Sequence, residues 1–469
     1  MNLQPKSNRW ACQLLWQIKA NKIYELPEIL TQSQCVFESR AHTSVEVRIF
    51  HIQQFLDLYI HHRDQIAQFI SMEIGKAITH SYADIDYDIW YIRRHLEHAQ
   101  QILSPEIIYQ DQHETHIQYY EARGVTAIIS PWNYPSSQRV RQVIPPLLAG
   151  NTIIYKSASA CMWTAKFISD LLISCLPAHT FHTIYGDSHL GNELTKLAVS
   201  QIIFTWSTQV WQMIQTNAVL SGARTHLELG GSAPGIILPN TSIDDTMMHM
   251  IDCSRLRHAG QICDGLKRLF VHISQKEELI HKLSDYFCDM SIGDPMSPDT
   301  RMWCLISEAS KTSVQSAIDH SILMWATKIE LWKIDNTSWP FVPITILTDV
   351  TLDMPVMNTE VFWPVIPIMT YDTLDELIWY ANSSIYGLWW YLWWTDPEQI
   401  NYICKHLKTW NISVNNTSYL IPQVPFGGYT PASGNMREHG VAWLRSYCET
   451  KVVSSPTTLL LHIGEKDTV

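Results

Sequence analysis

The amino-terminal third of the chain carries apolar residues at helical spacing. In residues 44–60 and 63–74 apolar side chains recur every three or four positions, and residues 83–103 continue this pattern with aromatic and charged residues. Such spacing places the apolar side chains on one face of each helix. The pattern therefore predicts a helical scaffold for this third of the chain.

Short apolar, β-branched runs then alternate with helical stretches. The segment HIQYYEARGVTAIIS from His116 leads into a turn at Pro131, and later runs lie at residues 152–155, 182–185, 202–205 and 225–229. Helices are predicted near residues 164–174 and from Ser207. After Gly230 the alternation begins again with PGIIL, a helix from Asp244, KRLFVHI, QKEELIHKLSDYF and TKIELWKI. Strands that alternate with helices predict two doubly wound α/β domains with parallel sheets.

Composition narrows the class of protein. The 469 residues exceed the roughly 250 to 300 at which one hydrophobic core stops growing. A hydrophobic content of 46% argues against disorder, and a formal charge of -12 argues against a nucleic-acid partner. The longest apolar cluster, LWWYLWW, falls far short of the ~20 residues that span a bilayer. With 10 Cys and no CxxC pair, the sequence predicts a cytoplasmic protein without a membrane segment.

Three short motifs carry groups suited to catalysis. PWNYP places the Asn133 amide, a hydrogen-bond donor, in a turn after an apolar strand. LELGG ends a strand with the Glu228 carboxylate beside two glycines, and GQIC presents the Cys263 thiol after a glycine. Each motif alone is more often a turn or a buried thiol, whereas together they supply an oxyanion donor, a base and a nucleophile.

Positive or titratable residues surround the thiol in the sequence. Arg257, His258 and Lys267 lie within six residues of Cys263. Nearby positive charge favours the thiolate, so these neighbours predict a lowered pKa for Cys263.

In this order the motifs resemble those of the aldehyde dehydrogenase superfamily. The resemblance covers nearly the whole chain and is carried by PWNYP, LLAGNTIIYKSAS, FTWSTQVW, LELGG, GQIC, EVFWPV, NSSIYGL, NISVN and PFGGYTPASGNMREHG. It implies an α/β fold of two doubly wound Rossmann-like domains plus a small β oligomerisation element. It also implies oxidation of an aldehyde to a carboxylic acid with NAD or NADP.

The resemblance assigns roles to particular residues. It implies Cys263 as nucleophile, Glu228 as general base and Asn133 as oxyanion donor. For the cofactor it implies Lys156 at the adenosine ribose, Ser207 at the pyrophosphate and Glu360 at the nicotinamide ribose. The predicted cofactor-binding set is completed by Ser159, Trp206, Trp211 and Phe362. Ser159 stands where the family often has an acidic residue that holds the NAD ribose, so NADP is expected to be tolerated.

The resemblance also divides the chain. It implies a dinucleotide-binding domain at residues 1–107 and 125–230, and a catalytic domain at residues 231–445. Residues 108–124 and 446–460 are expected to be strands that pair between subunits of a homodimer or homotetramer.

Tryptophan replaces glycine at several family positions. Trp206 and Trp211 lie in the cofactor turn, where backbone amides must approach a pyrophosphate and an indole would fill the space. The chain has 18 Gly and 19 Trp, against roughly 33 Gly at average usage. We hypothesise that the exchange of glycine for tryptophan has a systematic origin, such as altered codon reading or deliberate substitution. Glycine codons at these positions in the coding DNA would reveal a substituted reading. Further candidate positions are Trp303, Trp325, Trp332, Trp363, Trp389, Trp394 and Trp410.

Two alternatives stay open. A blocked cofactor turn would make the chain a catalytically impaired homologue with a structural or interaction role. Among substrates, GQIC, KRLFV and PFGG favour a short semialdehyde, although the sequence identifies no arginine for its carboxylate.

Histidine-rich HETH and HLEH lack a third ligand at a recognised spacing, so no metal site is predicted. The WWYLWW cluster is expected to be packed core.

Overall fold

The structure is a computed structural model that describes residues 18–331 and 340–459. The described helices are α1 (Leu26–Arg40), α2 (Val45–His61), α3 (Arg63–Ile74), α4 (Ile78–Leu103), α5 (Ser137–Ala149), α6 (Met162–Cys175), α7 (Ser188–Leu194), α8 (Trp211–Ser221), α9 (Asp245–Arg255), α10 (Lys276–Phe287), α11 (Glu308–Leu323), α12 (Pro355–Asn358), α13 (Leu374–Asn382), α14 (Pro397–His406) and α15 (Gly440–Arg445). The described strands are β1 (Glu106–Gln110), β2 (Glu114–Ala122), β3 (Val125–Ile129), β4 (Thr152–Lys156), β5 (Phe181–Ile184), β6 (Gln201–Thr205), β7 (Arg224–Glu228), β8 (Ala233–Ile237), β9 (Leu266–His272), β10 (Thr327–Glu330), β11 (Thr345–Thr348), β12 (Val365–Tyr371), β13 (Trp389–Trp393), β14 (Asn411–Val414) and β15 (Cys448–Pro456).

The first sheet is a doubly wound parallel sheet of five strands. Its strand order is β5-β4-β3-β6-β7, and the pairings of β3 with β4 and with β6 are parallel. Every residue of β3, β4 and β6 is buried, as expected for a parallel sheet covered on both faces. The strand order reverses between β3 and β6, and ligands of such sheets bind at the carboxyl ends of the strands near this point.

The second sheet has seven strands in the order β10-β11-β12-β9-β8-β13-β14. Its pairings are parallel except for the antiparallel edge strand β10. The chain passes from the first sheet to the second between Glu228 and Ala233. The aromatic cluster forms β13, whose residues are all buried, so the prediction of packed core is confirmed.

A third, antiparallel sheet has the order β1-β2-β15. Strand β15 pairs with β2 from Cys448 opposite Ala122 to Pro456 opposite Glu114. The outer strand β1 exposes Ile107, Ile108 and Tyr109. The strands lie in the two segments for which an oligomerisation role was expected; pairing between subunits and the domain boundaries stay predictions.

The predicted helices and strands occur in the structure as helices and strands, but some begin or end at other residues than predicted. The predicted helices at 44–60 and 63–74 match α2 and α3 closely, while α4 begins before residue 83. The helix expected from Ser207 begins only at Trp211, because residues 207–210 form a turn in which the Val210 N–H donates to the Ser207 carbonyl at 3.3 Å. No helix among residues 18–331 and 340–459 is long and apolar enough to span a membrane.

Helix α11 ends in a conformation that favours glycine. The Ala326 N–H donates to the Ser321 carbonyl and the Trp325 N–H to the Ile322 carbonyl, a pairing that ends helices with a left-handed residue at the position of Trp325. Trp325 has φ +77° and its side chain is 89% exposed. A side chain in this region costs roughly 1 to 2 kcal/mol, so the site agrees with the hypothesis that tryptophan stands in a glycine position.

Trp325→Gly should therefore raise the free energy of unfolding by about 1 kcal/mol, because glycine adopts this φ without strain. The matched control is Trp379→Gly in α13, where the indole is 63% exposed. Glycine inside a helix should lower stability by about 1 kcal/mol. Urea unfolding of both variants measures the difference. A loss of stability in Trp325→Gly similar to that in Trp379→Gly would contradict this account of the helix end.

Candidate active site

Three predicted catalytic residues come from three different elements and meet between the two large sheets. Asn133 lies in the turn after β3, Glu228 is the last residue of β7, and Cys263 lies in the loop between α9 and β9. All three line one cavity of about 210 Å³. Since parallel strands end at the same edge of a sheet, the turn after β3 and the end of β7 face the same crevice.

A close backbone approach joins the turn after β7 to the thiol loop. A Cβ atom added to Gly231 would lie 2.3 Å from the backbone oxygen of Cys263, a distance that no side chain tolerates. Glycine at this position therefore permits the contact between the LELGG turn and the loop that carries the thiol.

The polar groups of the site are held in a buried network. The Asn133 side-chain amide donates to the Gln261 carbonyl at 3.0 Å, which fixes the amide beside the thiol loop. The Glu228 carboxylate lies near enough to the Cys263 thiol for the two groups to influence each other's pKa. Glu228 is fully buried, and its Oε1 atom has no hydrogen-bond partner within the described chain. Burial, together with the nearby Glu438 carboxylate, raises the pKa of Glu228 well above its ordinary value.

The expectation of a lowered thiol pKa is wrong. Burial raises the pKa of Cys263 well above its ordinary value, and the carboxylates of Glu228, Asp264 and Glu360 add to this effect. Lys267 acts in the opposite direction. The sequence showed the basic neighbours and the adjacent Asp264, but Glu228 and Glu360 approach the thiol only in the fold. A thiol with a raised pKa reacts through the small fraction of thiolate present at neutral pH.

Four of the predicted cofactor residues line the same cavity as the thiol. They are Trp206, Ser207, Glu360 and Phe362. The Glu360 carboxylate accepts a hydrogen bond from the Gly231 N–H at 3.1 Å and lies 3.9 Å from the Lys267 amine. The Trp206 side chain is 37% exposed and stands directly after β6, at the carboxyl end of the sheet. Its indole therefore forms part of the wall of this cavity.

Three other predicted cofactor residues lie outside the lining of this cavity. The buried Lys156 amine, at the end of β4, donates to the Ser157 carbonyl at 3.2 Å. The Ser159 hydroxyl donates to the Gly186 carbonyl at 3.4 Å, and Trp211 begins α8. Lys156 and Ser159 lie along the carboxyl edge of the parallel sheet, and both present hydrogen-bonding groups suited to ribose hydroxyls. The roles of these residues at a dinucleotide, and the expected obstruction by Trp206 and Trp211, stay predictions.

A second cavity, of about 480 Å³, reaches Cys263 from the other side. It contains positive residues that the motif analysis did not place there: Lys76, Arg141 and Arg257. Lys76 pairs with Asp84, and Arg141 pairs with Glu438 at 3.2 Å. The Nε atom of Arg257 is buried and has no hydrogen-bond partner in the described parts of the chain. Arg257 thus offers a charged donor to a ligand that reaches the thiol from this side.

No group of three or more His, Cys, Asp or Glu residues suited to hold a metal ion occurs within residues 18–331 and 340–459.

The fold and the site define a class: a doubly wound α/β protein with a half-buried thiol and a buried carboxylate at the crevice of a dinucleotide-type sheet. The aldehyde dehydrogenase family model matches residues 4–453, and the chain belongs to this family. The mitochondrial succinate-semialdehyde dehydrogenase of Mus musculus is 28% identical over 89% of this chain and 81% of that protein. The NADP(+) succinate-semialdehyde dehydrogenase of Escherichia coli is 28% identical over 85% and 83%, respectively.

Solved structures agree with this membership. An NADP-dependent enzyme of E. coli superposes with a TM-score of 0.91 at 25% identity, covering 96% of this chain and 94% of that one. A 3,6-anhydro-L-galactose dehydrogenase in complex with NAP gives a TM-score of 0.91 at 25% identity, covering 96% of each chain. The expected architecture of two Rossmann-like units is confirmed.

The carboxylates around the thiol predict a pH dependence. Alkylation of Cys263 by iodoacetamide requires the thiolate, so its rate should rise with pH and have an alkaline midpoint. Glu228→Gln removes one negative neighbour and should move this midpoint to lower pH by roughly one unit, equivalent to ~1.4 kcal/mol. Peptide mass spectrometry after timed labelling gives the rate at Cys263. An unchanged midpoint would contradict the contact between the two side chains.

Proposed function

We propose that this chain oxidises an aldehyde to a carboxylic acid with NAD or NADP, through a thiohemiacetal and a thioester on Cys263. The observation that carries the proposal is the meeting of Cys263, Glu228 and Asn133 where two cavities reach one thiol. The cavity with Trp206 and Glu360 is assigned to the cofactor, and the larger cavity with Arg257 is assigned to the aldehyde.

The chemistry follows from the three side chains. The Cys263 thiol loses its proton to solvent, and the thiolate attacks the aldehyde carbon. The Asn133 amide and the Cys263 N–H donate hydrogen bonds to the oxygen that becomes negative. A dinucleotide held beside Glu360 would supply the hydride acceptor. Glu228 then removes a proton from the water that attacks the thioester, and this step releases the acid.

The cofactor would be held by residues of the first sheet and by the loop after α12. Lys156 and Ser159 would hold the adenosine ribose, Ser207 the pyrophosphate, and Glu360 with Phe362 the nicotinamide riboside. Ser159 carries no charge that would repel a 2'-phosphate, which supports use of NADP as well as NAD.

We propose a short semialdehyde as substrate class. Arg257 lines the larger cavity with its Nε atom unpaired within the described residues, and a substrate carboxylate would satisfy it. The relatives named above as succinate-semialdehyde dehydrogenases support this choice. A cytoplasmic location and a homodimeric or homotetrameric assembly stay predictions.

The direct test uses purified protein with NAD+ or NADP+ and either succinic semialdehyde or butanal. Formation of reduced nicotinamide, followed by absorbance, is expected in the wild type and absent in Cys263→Ala. A folded wild-type sample that reduces neither cofactor with either aldehyde would contradict the proposal.

Arg257→Gln should lower kcat/KM for succinic semialdehyde by about 10²-fold, because a charged hydrogen bond contributes roughly 1.5 to 3 kcal/mol. The same variant should change kcat/KM for butanal much less, since butanal has no carboxylate. Arg224→Gln is the matched control, because Arg224 pairs with the exposed Glu449 at 2.9 Å. Equal losses for both aldehydes in Arg257→Gln would remove Arg257 from substrate recognition.

The impaired-homologue alternative is favoured by the position of Trp206. The double variant Trp206→Gly and Trp211→Gly should strengthen NADP+ binding by about tenfold, or ~1.4 kcal/mol, by opening the phosphate turn. Isothermal titration measures the affinity, with Trp379→Gly as control and a thermal melt to confirm folding. Tight binding that is equal before and after substitution would show that the indoles do not obstruct the cofactor.

A further inference from the structure

A buried lysine links the thiol loop to the residue assigned to the nicotinamide ribose. Lys267 lies at the start of β9, and its side chain is almost fully buried. Its amine donates hydrogen bonds to the backbone carbonyls of Ile262 and Cys263. It also lies 3.9 Å from Glu360 Oε1 and 5.1 Å from the centre of the Phe362 ring. One amine therefore contacts two separate segments of the site.

The backbone contacts of Lys267 support the loop that carries the thiol. Ile262 and Cys263 are consecutive residues, and both of their carbonyls face the same amine. A Cβ atom at Gly231 would also collide with the Cys263 oxygen. The loop is thus held between the LELGG turn on one side and Lys267 on the other.

The charge of Lys267 opposes the carboxylates that surround the thiol. Cys263 faces Glu228 from β7, Asp264 from its own loop and Glu360 from the loop after α12. Lys267 itself faces Glu360, Asp264 and Cys263, and Arg255 of α9 approaches it as a like charge. Because these groups are buried, their interactions are weakly screened.

We propose that Lys267 is a positioning residue of the aldehyde-oxidising site, where its ammonium holds Glu360 beside the thiol loop and supports the Cys263 thiolate. Glu360 accepts the Gly231 N–H on one side and meets Lys267 on the other, so its carboxylate has a defined place before any ligand binds. The proposal rests on the proposed function for the roles of Glu360 and Cys263, but its electrostatic part concerns the protein alone.

Burial lowers the pKa of Lys267 to about 8, so the test measures the alkylation rate of Cys263 by iodoacetamide at pH 7, where this amine is charged, without cofactor or aldehyde. Lys267→Met removes the positive neighbour, and the rate should fall by roughly tenfold. Glu360→Gln removes a negative neighbour, and the rate should rise by a similar factor. Lys276→Met is the matched control: Lys276 pairs with Asp349 at 2.9 Å in another part of the fold, and its loss should leave the rate unchanged.

Opposite changes in Lys267→Met and Glu360→Gln distinguish an effect of charge from an effect of packing. Loosening of the loop alone would change the alkylation of Cys263 in the same direction in both variants, or in neither, and either result would overturn the proposal. If Lys267→Met does not fold, the alkylation rate of Glu360→Gln at pH 7 decides, and an unchanged or lowered rate contradicts the inference.

A second measurement separates this inference from the proposed function. Titration with NADP+ should give weaker binding in Lys267→Met than in Lys276→Met, because Glu360 loses its support. Opposite changes of the alkylation rate in the two variants, together with a wild type that oxidises no aldehyde, would sustain the electrostatic part and refute the proposed function. Oxidation of aldehydes by the wild type, with an unchanged alkylation rate and unchanged affinity in Lys267→Met, would refute the role of Lys267 alone.

Discussion

The contact of two backbones at Gly231 is the constraint on which the site depends. A Cβ atom there would meet the Cys263 oxygen at 2.3 Å, so the turn after β7 reaches the thiol loop only without a side chain. This contact brings the end of the first sheet against a loop of the second. The same turn carries Glu228 toward the thiol and offers the Gly231 N–H to Glu360.

Burial is the second constraint, and it acts on both reacting groups. The pKa values of Glu228 and Cys263 are both raised, because the crevice excludes water from charges that would otherwise be solvated. A carboxylate with a raised pKa is a stronger base, which suits the proton transfer from water assigned to Glu228. The Cys263 thiolate is destabilised by the same burial, because it lies among carboxylates. The nearby amine of Lys267 reduces this electrostatic destabilisation.

The sequence predicts the parts of this protein that depend on local pattern. Periodicity predicts the alternation of strands and helices and the buried β13. Motif order identifies Asn133, Glu228 and Cys263 as the candidate catalytic residues. Other features depend on contacts between distant segments. The pKa of Cys263 is raised rather than lowered because the fold buries the thiol and brings Glu228 and Glu360 toward it from other elements. The start of α8 at Trp211 depends on a turn after β6, and neither outcome is visible in one short motif.

The central claim is that Cys263 forms the covalent bond to the acyl group and that Glu228 releases it. The most direct measurement is intact-protein and peptide mass spectrometry of Glu228→Gln after brief exposure to nitrophenyl acetate. This ester needs no hydride acceptor, so the indole of Trp206 does not affect the result. The account predicts that one acetyl group accumulates on Cys263 in Glu228→Gln and turns over faster in the wild type. Acetylation at another residue, or equal turnover in both proteins, would contradict the account.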